Sequence, residues 1–259
     1  DTFVIRSGDG STTLADANVI TDFVDGTDVI SMDSLNYGDL TIAQGSDNNV
    51  SHSLVSETSS GEYLMVLQNI TASNLTGADF TSTSTEAQTL AGASSNDTLI
   101  GGSGNDTFNG DAGNDTLYGH GGNDTFNVTN KSGSFTDTID GGAGTDTLDI
   151  DYSGVTSLGS FTSLSYNSST EYFTLTDSNG GSVSFKSIET LIIGNYTYTE
   201  DTSSDTFWNA TEYVLYMYDG GNTSSSGITG LSGFSASANL TVQGSAQGDT
   251  MNLNIDRSS

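Results

Sequence analysis

Cysteine and proline are both absent from this chain of 259 residues. Without cysteine there are no disulfides and no thiolate metal sites. A small fold held together by disulfides is excluded with them. Without proline, every backbone N–H can enter a ladder, which favours continuous hydrogen-bonded strands over linkers. Basic side chains are scarce: Arg6, Lys131, Lys186 and Arg257 stand against 33 acidic residues, for a formal net charge of −29. Nucleic acids and anionic membrane surfaces both select basic patches, so neither is an expected partner. No apolar run reaches the length needed to cross a bilayer, and membrane insertion is not expected. Beginning at Asp1 with no signal peptide, the chain reads as a piece of a longer protein whose targeting signal lies elsewhere.

Catalytic signatures are missing too. There is no G-x-S-x-G elbow, no H-E-x-x-H and no glycine-rich loop closing on Lys-Ser/Thr. With two histidines, His52 and His120, few acid–base constellations can be built, and no enzyme is expected within these residues. Each histidine is expected as a solvated loop residue. What the charge does call for is cations. A bound divalent ion removes self-repulsion that four basic side chains cannot.

Hydrophobic content is only 33%, yet eleven Tyr, eleven Phe and evenly spaced Val, Ile and Leu set the chain apart from a disordered tract. Residues 1–80 read as short strands (DTFVI, ANVITDFV, DVISM, DLTIA, EYLMVLQNI) separated by turns such as SGDGS and DGTD. Beyond Asp146 the same reading gives TLDIDY, EYFTLTD, GSVSFKSIETLIIG, TEYVLYMYD and ANLTVQG. Asp149 and Asp151 alternate with apolar residues and are expected on a solvated strand face. The only helical candidate is a short stretch over residues 14–18.

Between these regions lies a repeat. Residues 92–127 divide into four nonapeptides without a gap: GASSNDTLI, GGSGNDTFN, GDAGNDTLY and GHGGNDTFN. After a four-residue insertion the register resumes over residues 132–149. The aspartates at Asp97, Asp106, Asp115, Asp124, Asp137 and Asp146 each precede, by two positions, an apolar residue. Glycines permit a tight turn whose carbonyl oxygens face inward, the aspartate adds a hard anionic oxygen, and the last three residues form a minimal strand. Calcium takes about six to eight such oxygens, which two stacked turns can supply and one cannot. Two nonapeptides make one coil, so Asp97 and Asp115 are expected on one edge and Asp106 and Asp124 on the other. Leu99 is then expected over Leu117, and Phe108 over Phe126. The candidate calcium ligands are these six aspartates with Gly101, Ser103, Gly110, Ala112, Gly119, Gly121, Gly141 and Ala143. Strong sites are expected at Asp106, Asp115 and Asp124, and weaker ones at Asp137 and Asp146, because the 132–140 repeat has lost most of its glycines. Asp111 and His120 stand where a second glycine belongs, at the expense of backbone strain or as extra ligands.

These nonapeptides resemble the repeats of the RTX (repeats-in-toxin) family of secreted bacterial proteins, over about fifty of the 259 residues. NVITDFVDGTDVISM and VSFKSIETLIIG resemble segments that flank RTX coils. The resemblance implies export by a type I system, an extracellular location and folding triggered by external calcium.

The expected fold is all-β: a calcium-binding parallel β-roll (solenoid) over residues 91–150, flanked by further β-solenoid or β-sandwich segments at 1–90 and 151–259. The expected role is that of a non-catalytic structural or interaction module in a large surface-layer, adhesin or filament protein. The alternative is the secretion and folding module of an exported protease, lipase or alginate epimerase. Calcium is the expected cofactor; self-assembly and cell-surface glycan or protein contacts, the latter through the Trp208 region, are the candidate interactions. Asp22, Asp25 and Asp28, and the degenerate copies at Asp205 and Asp249, are further places to look for calcium.

Overall fold

A computed structural model describes residues 1–167, 169–201, 206–209, 214–216 and 242–243. Seven strands precede the repeats: β1 (Thr2–Arg6), β2 (Val19–Ile20), β3 (Val29–Asp33), β4 (Leu40–Gln44), β5 (Ser53–Glu57), β6 (Tyr63–Leu67) and β7 (Phe80–Ser82). β1, β3 and β7 pair in parallel, and so do β2 and β6, while β4, β5 and β6 form an antiparallel meander. Parallel pairing of strands that are distant in sequence is the mark of a coil, here with long excursions between turns. The helical candidate is a single 3-10 turn, Leu14–Asp16. There is no α-helix among the described residues.

β8 (Thr89–Ala91) leads into the repeats, which supply β9 (Thr98–Ile100), β10 (Thr107–Asn109), β11 (Thr116–Tyr118), β12 (Thr125–Thr129), β13 (Thr136–Asp140) and β14 (Thr147–Asp151). They stack alternately into two parallel sheets. Leu99 pairs with Leu117 and Phe108 with Phe126, eighteen residues apart. Across the insertion Leu117 pairs with Ile139 and Phe126 with Leu148, twenty-two apart. The fold is therefore all-β with a parallel β-roll at its centre.

Each strand turns one apolar side chain inward at the same register position, partly buried at Leu90 and Leu99 and fully buried in the later strands, because successive residues on a strand face opposite sides. Leu99, Leu117 and Ile139 form one file, and Leu90, Phe108, Phe126 and Leu148 the other. The Phe108 and Phe126 rings stack at 4.7 Å. One inward side chain per nonapeptide makes a thin core, so the turns must contribute what the core cannot.

The roll is not an isolated unit. Beyond it come β15 (Phe161–Asn167), β16 (Tyr172–Asp177), β17 (Ser182–Lys186) and β18 (Thr190–Ile193). GSVSFKSIETLIIG thus folds as two strands, which add one more parallel coil: β17 on β13 and β18 on β14. Phe185 and Leu191 extend the two files, although this coil lacks the glycine turn. β15 and β16 form an antiparallel hairpin that pairs onto β17. At the opposite end, the Ser82 N–H donates to Gly101 O at 2.9 Å and the Ser103 N–H to Ser84 O at 2.9 Å, joining the N-terminal sheet to the first turns. β19 (Tyr196–Asp201), β20 (Thr206–Asn209), β21 (Val214–Tyr216) and β22 (Val242–Gln243) continue outward from β18. Trp208 lies in β20, but its side chain, with Asp205 and Asp249, falls outside the described residues.

Candidate metal centre

The repeat aspartates form two files, Asp97–Asp115–Asp137 on one edge of the roll and Asp106–Asp124–Asp146 on the other. Apart from half-buried Asp97, their side chains are fully enclosed. One link recurs wherever two of these aspartates stack: the backbone N–H of one donates to Oδ1 of the aspartate one coil further on. The distances are 3.0 Å from Asp97 to Asp115 and 3.0 Å from Asp115 to Asp137. In the other file they are 2.7 Å from Asp106 to Asp124 and 2.8 Å from Asp124 to Asp146. That file extends past the repeats, since the Asp146 N–H donates to Glu189 Oε2 at 2.7 Å. Glu189, from the Ile-Glu pair, stands in for an aspartate.

A second ladder, to which sequence reasoning assigned no role, runs through the asparagine before each aspartate. Asn96 Oδ1 accepts the Asn114 N–H at 2.9 Å, and Asn105 Oδ1 the Asn123 N–H at 2.8 Å. Asn114 Oδ1 and Asn123 Oδ1 then accept from Thr136 at 2.8 Å and Thr145 at 2.9 Å. The recurrence of NDT was its signal.

Oδ1 of each enclosed aspartate is thus engaged, and the turn decides the fate of Oδ2. In the first two turns it accepts an N–H from its own turn, Ala93 to Asp97 at 2.7 Å and Gly102 to Asp106 at 3.0 Å. In the next three regular turns the second and fourth positions are left-handed: Asp111 (φ 59°) and Gly113 (123°), His120 (67°) and Gly122 (115°), Gly142 (92°) and Gly144 (148°). For Asp111 and His120 this is a strained conformation, one that glycine would adopt without penalty. No such N–H bond forms in these turns. Asp115 Oδ2 instead meets the Lys131 ammonium at 2.7 Å. Asp124 Oδ2 and Asp146 Oδ2 are buried with no hydrogen-bond partner.

Those two orphaned oxygens lie on the same edge in consecutive coils. Burial, with the neighbouring carboxylates Asp146 and Asp106, pushes the Asp124 carboxyl up to about 7. Burial together with Glu189 and Asp140 pushes Asp146 up to about 6. Main-chain oxygens share the edge: a Cβ on Gly101 would lie 2.5 Å from Asp106 Oδ2 and 2.9 Å from the Gly119 carbonyl oxygen. A Cβ on Gly119 would collide with both Asp124 Oδ2 and the Gly141 carbonyl oxygen. Gly101, Gly119 and Gly141 thus line the edge on which these carboxylate and carbonyl oxygens gather. Ser103, Gly121 and Ala143 bridge the stacked turns; for instance, the Ala143 N–H donates to His120 O at 2.7 Å. Gly110 packs in the same way against Asp115 Oδ2 on the other edge, and Ala112 is the third residue of that turn. Among the described residues no three acidic or histidine side chains converge. The donors this edge offers a cation are paired carboxylates and backbone carbonyls, hard oxygens of the kind calcium takes.

Away from the roll, the acidic stretch at Asp22, Asp25 and Asp28 gathers no comparable set. Asp28 uses its carboxylate to accept the Val24 N–H at 2.8 Å, closing a turn. His120 is half-buried rather than solvated: its Nε2 has no partner, burial lowers its pKa, and its ring lies 6.3 Å from that of Tyr118. Asp149 likewise keeps one oxygen buried without a partner, and burial raises its pKa.

The model of the RTX calcium-binding nonapeptide repeat family matches residues 91–126 and 132–149, in four copies. Over these residues the β-roll is similar to RTX calcium-binding repeats. The RTX match breaks at the insertion, the segment that delivers Lys131. No curated protein matches the chain. RTX repeats are calcium-binding structural repeats, and the carboxylate edge described above has the donor set they need.

Proposed function

We propose that this chain, with its RTX-type repeats, is a non-catalytic structural and interaction module of a large secreted bacterial surface protein, which folds and rigidifies on extracellular calcium. The surface-layer, adhesin or filament type is the one we favour. The observation that carries the reading is the pair of buried, unpartnered oxygens at Asp124 and Asp146 on consecutive coils. Without a cation the edge holds dehydrated like charges, so folding and metal binding are coupled. The scaffold role draws support from the continuity of the ladders: the roll is flanked on both sides by further coils, as an internal segment of a long β rod would be. Extracellular modules bind calcium at about 10⁻⁴–10⁻³ M, a range matched to folding only after export.

The test is a calcium titration followed by far-ultraviolet circular dichroism, with magnesium as control. A cooperative gain of β signal with calcium alone is expected; a spectrum identical in chelator and calcium overturns the folding role. The parent sequence separates the two versions of the module. Tandem β repeats support the scaffold, while an adjoining catalytic domain would make this the folding module of an exported enzyme.

A further inference from the structure

We propose that Lys131 is a built-in cation that occupies the metal position between Asp115 and Asp137, so that this edge is closed without calcium and calcium loading falls to the opposite edge. The inference rests on the calcium reading above and limits where it applies.

Lys131 belongs to the four-residue insertion that changes the coil from eighteen to twenty-two residues. Its side chain is only 2% exposed, against 30% for Lys186 and 55% for Arg6. The ammonium has oxygen on several sides: Asp115 Oδ2 at 2.7 Å, Asp137 Oδ2 at 2.9 Å and Oδ1 at 3.0 Å, and the Gly113 carbonyl at 3.2 Å. Two carboxylates and a main-chain carbonyl are the donor types a calcium would use, here enclosing a primary ammonium with three N–H donors. The arm that delivers it is fixed. Asn130 Nδ2 donates to Asp111 Oδ1 at 2.8 Å, Phe135 is buried edge-on against Tyr152, and the ammonium lies 5.2 Å from the Phe135 ring.

The two edges differ in consequence. Asp115 Oδ2 is partnered, whereas Asp124 Oδ2 and Asp146 Oδ2 are not. Calcium could enter the Lys131 edge only by expelling an ammonium from a buried, hydrogen-bonded site, leaving a lysine to be rehoused. The insertion therefore lowers calcium capacity by one position and keeps one edge stapled when calcium is scarce.

Calcium uptake by the full chain is to be counted by isothermal titration for wild type and Lys131→Met, with thermal melts in chelator alongside. The substitution is expected to add one calcium per chain and to lower the melting point in chelator, with calcium restoring it. An unchanged calcium count in a folded Lys131→Met overturns the proposal. Should that variant not fold, amine acylation of wild type decides. Lys131 is expected to stay protected relative to Lys186 in the calcium-folded chain, from the lowest calcium that gives the full β signal up to saturation; reactivity that appears as calcium is raised further means the ion displaces it, and refutes the proposal. A wild type that takes up no calcium would instead overturn the calcium reading itself.

Discussion

Replacing Asp124 by asparagine should have opposite effects with and without calcium. The carboxyl is pushed from its ordinary 3.8 up to about 7. Keeping it ionised above that pH costs about 4 kcal/mol, at about 1.4 kcal/mol for each tenfold change in proton affinity. Asparagine removes the charge and keeps Oδ1, which accepts the Asp106 N–H at 2.7 Å. Its new amide donor replaces the orphaned Oδ2, and an unpaired buried amide costs roughly 1–3 kcal/mol. The net expectation in chelator is a gain of about 1–3 kcal/mol, read as a melting point several degrees higher at roughly 2–4 °C per kcal/mol. In saturating calcium the variant has lost one anionic ligand oxygen of the pair and should melt below wild type. The assay is differential scanning calorimetry at about pH 8 in the two buffers. A variant that melts lower than wild type in both would refute the view that the Asp124–Asp146 edge is strained by unpaired charge.

The same carboxylates set the pH dependence of the metal-free chain. Because the folded values of Asp124 and Asp146 lie above the ordinary 3.8, protonation favours the fold, and that contribution is lost as pH rises through about 6 and about 7. Melting in chelator should therefore be higher near pH 5 than near pH 8, and calcium, which needs the ionised form, should reverse the order. Phe126→Ala empties a fully buried position in the stacked Phe108 file and should cost about 3–5 kcal/mol in chemical denaturation with calcium present. Asn123→Ala removes the acceptor of the Thr145 N–H; amide hydrogen exchange should accelerate at Thr145, with a stability loss of about 1 kcal/mol. Gly122→Ala places a Cβ against the Gly104 carbonyl oxygen at φ 115° and should disrupt the turn, a loss that circular dichroism in calcium would register.

Much of the roll was legible in the sequence because its geometry is a repeat. A nonapeptide with one apolar position and one aspartate dictates which residues meet eighteen positions on, and Leu99 over Leu117 and Phe108 over Phe126 follow from counting. The flanking coils were legible only as strands, since their excursions vary in length and no period announces that β17 stacks on β13 or that Glu189 completes the aspartate file. Strand β5 is not legible in the sequence, because SLVSE carries no turn signal of its own.

The sequence by itself determined the all-β class, the alternation of turn and strand, and the two edges on which the aspartates gather, since all three follow from local spacing. Only the tertiary structure decided which carboxylate oxygens remain unpartnered. That depends on backbone handedness at single turn positions and on where one inserted side chain reaches. Asp106, Asp115, Asp124 and Asp146 look alike in sequence, yet one accepts a turn N–H, one holds Lys131, and two keep a buried oxygen without a partner. A lysine in an insertion carries no mark of its destination; its ammonium is drawn to Asp115 and Asp137 by charges brought together only when the coils stack.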